Sequence, residues 1–111
     1  MPSPQFDQLL KLFAANPLKE GTPLADLRAG YERLGAMFTP PAGTEFTPVQ
    51  AGGVPACWVR AEGVAASSPV LLYLHGGGYV IGSLKSHRHL MGRLSAAAGA
   101  RVLGLDYRLA P

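Results

Sequence analysis

The chain has 111 residues, of which 48% are hydrophobic and 15% charged, the balance of a globular protein and not of a disordered one. Its net charge of +3 suggests an anionic partner, but the basic residues are scattered from Lys11 to Arg108 without a run, which excludes a nucleic-acid footprint and describes a mildly basic, solvated surface. A single cysteine, Cys57, excludes an internal disulfide, and no apolar stretch is long enough to span a bilayer.

In chain order, Ser3-Pro4 supplies a helix cap with proline at the first helical position. Met1 to Pro4 lacks the basic region of a secretory signal, so a cytoplasmic location is expected. Phe6, Leu9, Leu10 and Phe13 then form one apolar helical face that ends at Asn16-Pro17. A second helix is expected to start in the same way at Thr22-Pro23. Its stripe is Leu24, Leu27, Tyr31, Leu34 and Phe38, running up to Pro40-Pro41. Gly30 and Gly35 weaken it by about 1 kcal/mol each relative to alanine. Both helices are expected to pack on the core.

Thr44 to Ala61 reads as two strands. Pro48 confines the first to a sheet edge, and Ala51-Gly52-Gly53 turns the chain into Val54–Arg60, an antiparallel partner. Cys57, beside Trp58, reads as a buried strand thiol. After a surface loop from Glu62 to Ser68, the apolar run Pro69 to Leu74 reads as a buried strand. Ser86 is expected to cap a helix with Leu90, Met91, Leu94, Ala97 and Ala98 inward and Gly99 at its end. Arg101 to Leu105 is the next strand. Strand, helix, strand in this order makes a right-handed βαβ unit with parallel strands.

Between the first of these strands and its helix stands His75-Gly76-Gly77-Gly78-Tyr79-Val80-Ile81-Gly82. Three glycines in a row leave bare backbone whose amides a ligand oxygen can approach, so the loop suits negative charge. The phosphate motifs fail. With Gly76 and Gly78 in place, the third glycine of a dinucleotide loop falls at Ile81, and a Walker loop counted from Gly77 meets Ser83-Leu84 where Lys-Ser or Lys-Thr is required. A nucleotide-binding module is therefore a poor reading. A His-Gly-Gly-Gly loop after a strand instead suits the oxyanion of acyl transfer.

Leu72 to Ser83, followed after a helix and a strand by Asp106-Tyr107-Arg108-Leu109-Ala110-Pro111, resembles the hormone-sensitive-lipase-like branch of the α/β-hydrolases. The likeness is strong from about Pro69 to Pro111 and looser upstream. It implies an α/β fold, the N-terminal portion of an α/β-hydrolase: two cap helices in residues 1–42, then antiparallel edge strands and a βαβ unit of the central sheet in residues 43–111, an incomplete catalytic domain. The family's strand order implies that the last strand inserts between the second and third, leaving the Val70 to Leu74 strand with an open edge.

The resemblance also assigns roles. Gly77 and Gly78 are implied as oxyanion-hole donors, with Gly76 shaping the turn. Tyr79 is expected to line the acyl or alcohol pocket. His75 is expected to hold the loop's shape and to take no catalytic part, and Asp106, Tyr107 and Arg108 to form a partly buried supporting network. His87 and His89 are two apart, diverge on a helix, cannot share a metal and are expected to be exposed.

The function implied is that of a serine carboxylesterase acting on short or medium acyl esters, with no metal and no cofactor. Its partner is a small-molecule ester, with no nucleic acid and no stable membrane insertion, and a homodimer is possible. None of Ser3, Ser67, Ser68, Ser83, Ser86 or Ser95 sits in Gly-x-Ser-x-Gly. Nucleophile, acid and base are therefore expected beyond Pro111, and the 111 residues alone are expected to be inactive. The other reading is a catalytically silent, small-molecule-binding member of the same fold.

Overall fold

Gly52 and Gly53, at φ 59° and 83°, make the two-residue turn that joins β1 (Glu45–Ala51) to β2 (Val54–Arg60). Two consecutive left-handed residues match the twist of paired strands, which is why the hairpin is this tight. Its register runs from Ala51 opposite Val54 to Glu45 opposite Arg60. A 2.6 Å ion pair between those last two side chains closes the far end. That pair is solvent-exposed and contributes little to stability. The computed structural model describes all residues, Met1–Pro111.

β3 (Val70–Leu74), α3 (Arg88–Ala98) and β4 (Arg101–Leu105) complete a four-stranded sheet in the order β1-β2-β4-β3. β4 lies between β2, to which it is antiparallel, and β3, to which it is parallel. The last strand thus inserts between the second and third, and β3 is left at an edge.

One face of the sheet carries the core. Val59 and Val102 are fully buried, with Met91 of α3 and the Cys57 thiol beside them, and Phe46, Leu71, Tyr73, Leu84 and Leu94 pack around this nucleus. Gly104 leaves the space that Met91 and Leu84 fill. Ser95 is fully buried with its hydroxyl satisfied twice, accepting from Ala61 N–H (2.8 Å) and donating to the Ala100 carbonyl (2.6 Å). A satisfied buried hydroxyl carries no desolvation penalty, so it serves as a cross-tie between α3 and the sheet.

Three expectations about these elements are corrected. The inward face of α3 is Met91, Gly92 and Ser95 with Leu90 and Leu94 half-buried beside them, while Ala97 and Ala98, expected inward, are exposed. The helix starts at Arg88 with His87 as its N-cap, because the Ser86 hydroxyl is taken by a turn with Ser83: it accepts from Ser83 N–H at 2.9 Å and lies 3.0 Å from the Ser83 carbonyl. β3 is not a strand buried on both faces. α3 covers only the side of Leu71 and Tyr73, so Val70, Leu72 and Leu74 remain 49%, 58% and 58% exposed.

α1 (Pro4–Ala15) begins as expected, with the Ser3 hydroxyl accepting from Phe6 N–H at 3.2 Å. It buries no residue, however, and Phe6, Leu10 and Phe13 stand about half exposed. Only Leu9 and Leu12 are half-buried, so the stripe stays largely open and the helix contributes no residue to the core.

α2 (Leu24–Ala36) starts one residue later than the proline pattern suggests. Pro23 is its N-cap and Thr22 bonds back to the Lys19 carbonyl instead. Gly35 is its one buried residue, and a methyl built there would lie 2.6 Å from Ser86 Cα. The glycine that weakens the helix is thus the point where it crosses the segment leading into α3.

Candidate functional site

β3 ends at Leu74, and the chain then turns sharply. Gly77, Gly78 and Tyr79 have φ of 140°, 60° and 67°, and Gly82 has 96°. The Gly77 carbonyl accepts from Val80 N–H (3.2 Å) and Ile81 N–H (3.0 Å), folding the loop back on itself. The N–H groups of Gly76, Gly77, Gly78 and Tyr79 find no acceptor anywhere in the chain. Gly76, Gly78 and Tyr79 are exposed and Gly77 is half-buried. Unpaired amides at the surface beside a parallel strand's carboxyl end have the chemistry of an anion-stabilising loop.

Which glycines are obligatory follows from the space around them. A side chain at Gly77 would run into the Ile81 carbonyl, and a methyl at Gly82 would lie 2.5 Å from both Gly76 O and His75 Nδ1. Gly78 has open space but a left-handed φ. Gly76 has neither a positive φ nor any atom within 4 Å of where a methyl would stand. The expectation that Gly76 shapes the turn is therefore corrected: Gly77 and Gly82 do so sterically and Gly78 through its φ.

Tyr79 is 81% exposed, beside the free amides. Its left-handed backbone costs a residue with a side chain about 1–2 kcal/mol, and two external bonds hold the neighbouring peptides. Ala110 N–H donates to the Tyr79 carbonyl at 2.8 Å, and Arg28 Nε donates to the Val80 carbonyl at 2.8 Å.

His75 is buried, at 3% exposure, with Nδ1 2.9 Å from the Gly76 carbonyl. A carbonyl only accepts, so that contact needs a proton on Nδ1; Nε2 is buried without a partner. The imidazole is sandwiched between two rings. Tyr107 stacks at 4.3 Å and 15°, and His87 at 5.4 Å and 24°. His87 also meets the rings of Tyr31 and Tyr73 at tilts of 59° and 48°, and its Nδ1 lies 2.9 Å from the Ser86 hydroxyl.

The expectation that His87 and His89 are exposed is corrected, since both are half-buried and His89 lies against Phe38. Burial pushes the His87 imidazole below its ordinary range, with the neighbouring imidazoles of His75 and His89 acting in the same direction and the Ser83 carbonyl and Glu32 opposing them. Burial lowers His89 as well, with Arg93 adding to it. Burial raises the Tyr73 phenol, assisted by Tyr31 and Tyr107, and raises the Cys57 thiol. An acidified nucleophile needs the opposite of what surrounds Cys57.

Asp106 and Arg108 do not form the expected network. Both are exposed and neither side chain makes a hydrogen bond or an ion pair. In the extended segment after β4, alternate residues face opposite ways, so 106 and 108 turn outward together while Tyr107 between them turns in to His75. Sequence reasoning missed Arg28 and Glu32 entirely. They lie one turn apart on α2, and no local pattern announces that this face meets the glycine loop. No three His, Cys, Asp or Glu side chains come together as a metal site requires, and no helix is long and apolar enough to cross a membrane.

The hairpin, the βαβ unit and the glycine turn after its first strand define the N-terminal portion of an α/β-hydrolase sheet. Residues 71–111 match a family profile described as alpha/beta hydrolase fold. Over its whole length the chain is 37% identical to an acetyl-hydrolase of Streptomyces hygroscopicus, of which it covers 36%. Over 42% of its length it is 55% identical to an ethyl acetate hydrolase of Pseudomonas putida, of which it covers 15%. Among solved structures it superimposes on an esterase from the bacterial hormone-sensitive lipase family with a TM-score of 0.86 and 40% identity, covering 100% of this chain and 37% of that one. An esterase/lipase from an uncultured bacterium matches equally, at 0.86 and 40%, over 99% and 37%. The chain belongs to the hormone-sensitive-lipase-like branch of the α/β-hydrolases, and it spans about a third of the length of the relatives that match it end to end.

Proposed function

We propose that residues 1–111 supply the oxyanion-hole part of a serine carboxylesterase acting on short or medium acyl esters through an acyl-enzyme. The observation that carries this is the set of unpaired, accessible amides at Gly77 and Gly78, directly beyond β3. When a nucleophile adds to an ester carbonyl, the oxygen takes on negative charge, and fixed N–H donors aimed at it lower the barrier. Gly77 and Gly78 are those donors in this reading, and a third comes from the residue after the nucleophile. Tyr79, exposed next to them, borders the acyl or alcohol pocket.

Nucleophile, acid and base lie on polypeptide beyond Pro111, since no serine here occupies the required turn. α1 and α2, within residues 1–42, act as a cap over the entrance, and residues 43–111 belong to the catalytic domain. The relatives' names, acetyl-hydrolase and ethyl acetate hydrolase, favour small acyl groups. We place the protein in the cytoplasm, working without metal or cofactor and able to pair as a homodimer.

The test is hydrolysis of p-nitrophenyl acetate and butyrate by the 111-residue chain and by the protein extended to include the nucleophile. The extended protein is expected to turn over both esters, and the shorter chain neither. Gly77→Ala in the extended protein keeps the N–H, but its methyl would meet the Ile81 carbonyl and turn that amide off the oxyanion; kcat is expected to fall by up to about 10²–10³, as when one oxyanion donor is lost. Equal turnover by the two proteins would place the nucleophile within residues 1–111 and sink the assignment. Ester binding without turnover by the extended protein would replace the enzyme with a silent binding member.

A further inference from the structure

The face of α2 that meets the glycine loop is a ladder of residues three or four apart. Arg28 donates from Nε to the Val80 carbonyl and from Nη2 to the Ala110 carbonyl, each at 2.8 Å. One turn on, Glu32 accepts from the Ser83 hydroxyl, whose oxygen also receives the N–H groups of Lys85 and Ser86 at 3.1 Å each. Gly35, a further turn along, lets the helix backbone come against Ser86. The return limb of the loop, Val80 to Ser86, is therefore gripped along its length by one helix.

Arg28 is the informative member. It has no carboxylate within ion-pair distance, so its guanidinium is spent on two carbonyls that lie far apart in sequence. Ala110 N–H in turn donates to the Tyr79 carbonyl at 2.8 Å. Arg28 thus ties the Val80-Ile81 peptide to the segment that holds the preceding Tyr79-Val80 peptide. A planar fork bonds two acceptors at fixed directions, which a lysine ammonium does not reproduce.

We propose that Arg28 is a positioning residue that transmits the seating of α2 to the oxyanion loop. With the helix docked, the Tyr79-Val80 turn is held and the amides of Gly77 and Gly78 keep one orientation. With the helix displaced, the turn is free to relax out of its left-handed conformation. Glu32 is the second point of the same grip. The inference rests on the oxyanion reading for its catalytic meaning, but not for its structural content.

The structural content is read from amide hydrogen exchange in the 111-residue chain, followed by NMR. Arg28→Met is expected to speed exchange at Val80, Ile81 and Ala110 by about tenfold or more, the loss of a charged hydrogen-bond donor, while β2 and β4 amides are unmoved. Arg28→Lys is expected to restore less than half of the lost protection. Arg33→Met, an exposed change on the same helix, serves as the control and is expected to leave all of these amides alone. Unchanged protection in Arg28→Met overturns the proposal. Equal loss across the sheet overturns it too, because Arg28 would then hold the fold and not the loop.

The catalytic meaning is read in the extended protein, where Arg28→Met is expected to lower kcat by about tenfold or more with KM moving much less. Loosened amides with unchanged kcat leave the positioning role standing and remove the oxyanion reading.

Discussion

Tyr107 holds His75 in two ways: its hydroxyl donates to the His75 carbonyl while its ring stacks on the imidazole at 4.3 Å. The same hydroxyl lies 3.3 Å from His75 Nδ1, but that nitrogen's proton is directed to the Gly76 carbonyl, so the hydroxyl proton goes to the carbonyl oxygen. The residue that opens the glycine loop is thereby fixed to the strand end beside it, through backbone and ring together.

Removing only the hydroxyl separates the two contributions. Tyr107→Phe keeps the stack and leaves the partly buried His75 carbonyl without its donor, an expected loss of about 1 kcal/mol in urea unfolding. Tyr107→Ala removes the ring pair as well and is expected to cost at least about 1 kcal/mol more. Equal losses for the two variants would mean that the stack contributes nothing.

Glycine substitutions in the loop are expected to divide sharply. Gly82→Ala places a methyl 2.5 Å from two loop atoms at φ 96°, an expected loss of about 2 kcal/mol or more. Gly76→Ala has space and an ordinary φ, and is expected to stay within about 0.5 kcal/mol. Thermal unfolding of the two variants side by side decides whether the crowding at position 82 is real.

Stability is expected to fall in mild acid. His87 and His89 take up protons less readily in the folded chain than the ordinary imidazole value of about 6.5, chiefly because they are buried. The unfolded chain then binds more protons as pH drops through that value, so stability is full above about pH 6.5 and declines below it. Around His87 stand Tyr31, Tyr73, His75 and Ser86, with Glu32 as the only acidic group acting on it. His87→Gln is expected to reduce the slope of the unfolding midpoint across this range, leaving the part due to His89. A slope that survives both His87→Gln and His89→Gln would locate the sensitivity elsewhere.

The 111-residue chain is expected to associate as its concentration rises. Val70, Leu72 and Leu74 present a half-exposed apolar row on an edge strand whose ladder groups are unpaired on one side, the arrangement that invites strand addition. Leu72→Lys charges the middle of that row and is expected to shift sedimentation toward the monomer across a dilution series. No change on substitution would place the association at α1 instead, through Phe6, Leu10 and Phe13.

What was legible in the sequence was what local chemistry decides. Ser3-Pro4 announces α1, Gly52-Gly53 announces the hairpin, Pro48 announces an edge, and the glycines at 76 to 78 announce exposed amides. What escaped depends on which surfaces meet. Ser86 looks like a cap until Ser83, three residues earlier, claims its hydroxyl. Asp106 and Arg108 look like a network until the alternation of an extended segment turns them both to solvent. Phe6 and Phe13 make a convincing stripe that stays half exposed. Arg28 is unremarkable on a helix, and only the tertiary path of the loop brings two carbonyls to it.

Pro48 is paired continuously through the β1 and β2 register, so its nitrogen, which has no proton to give, faces away from β2. Growth of the sheet past β1 therefore meets a missing donor, whereas β3 offers an uninterrupted row. The two edges are therefore unequal: a strand added in parallel beside Val70 to Leu74 would bring its own carboxyl-terminal residue next to the free amides of the glycine turn.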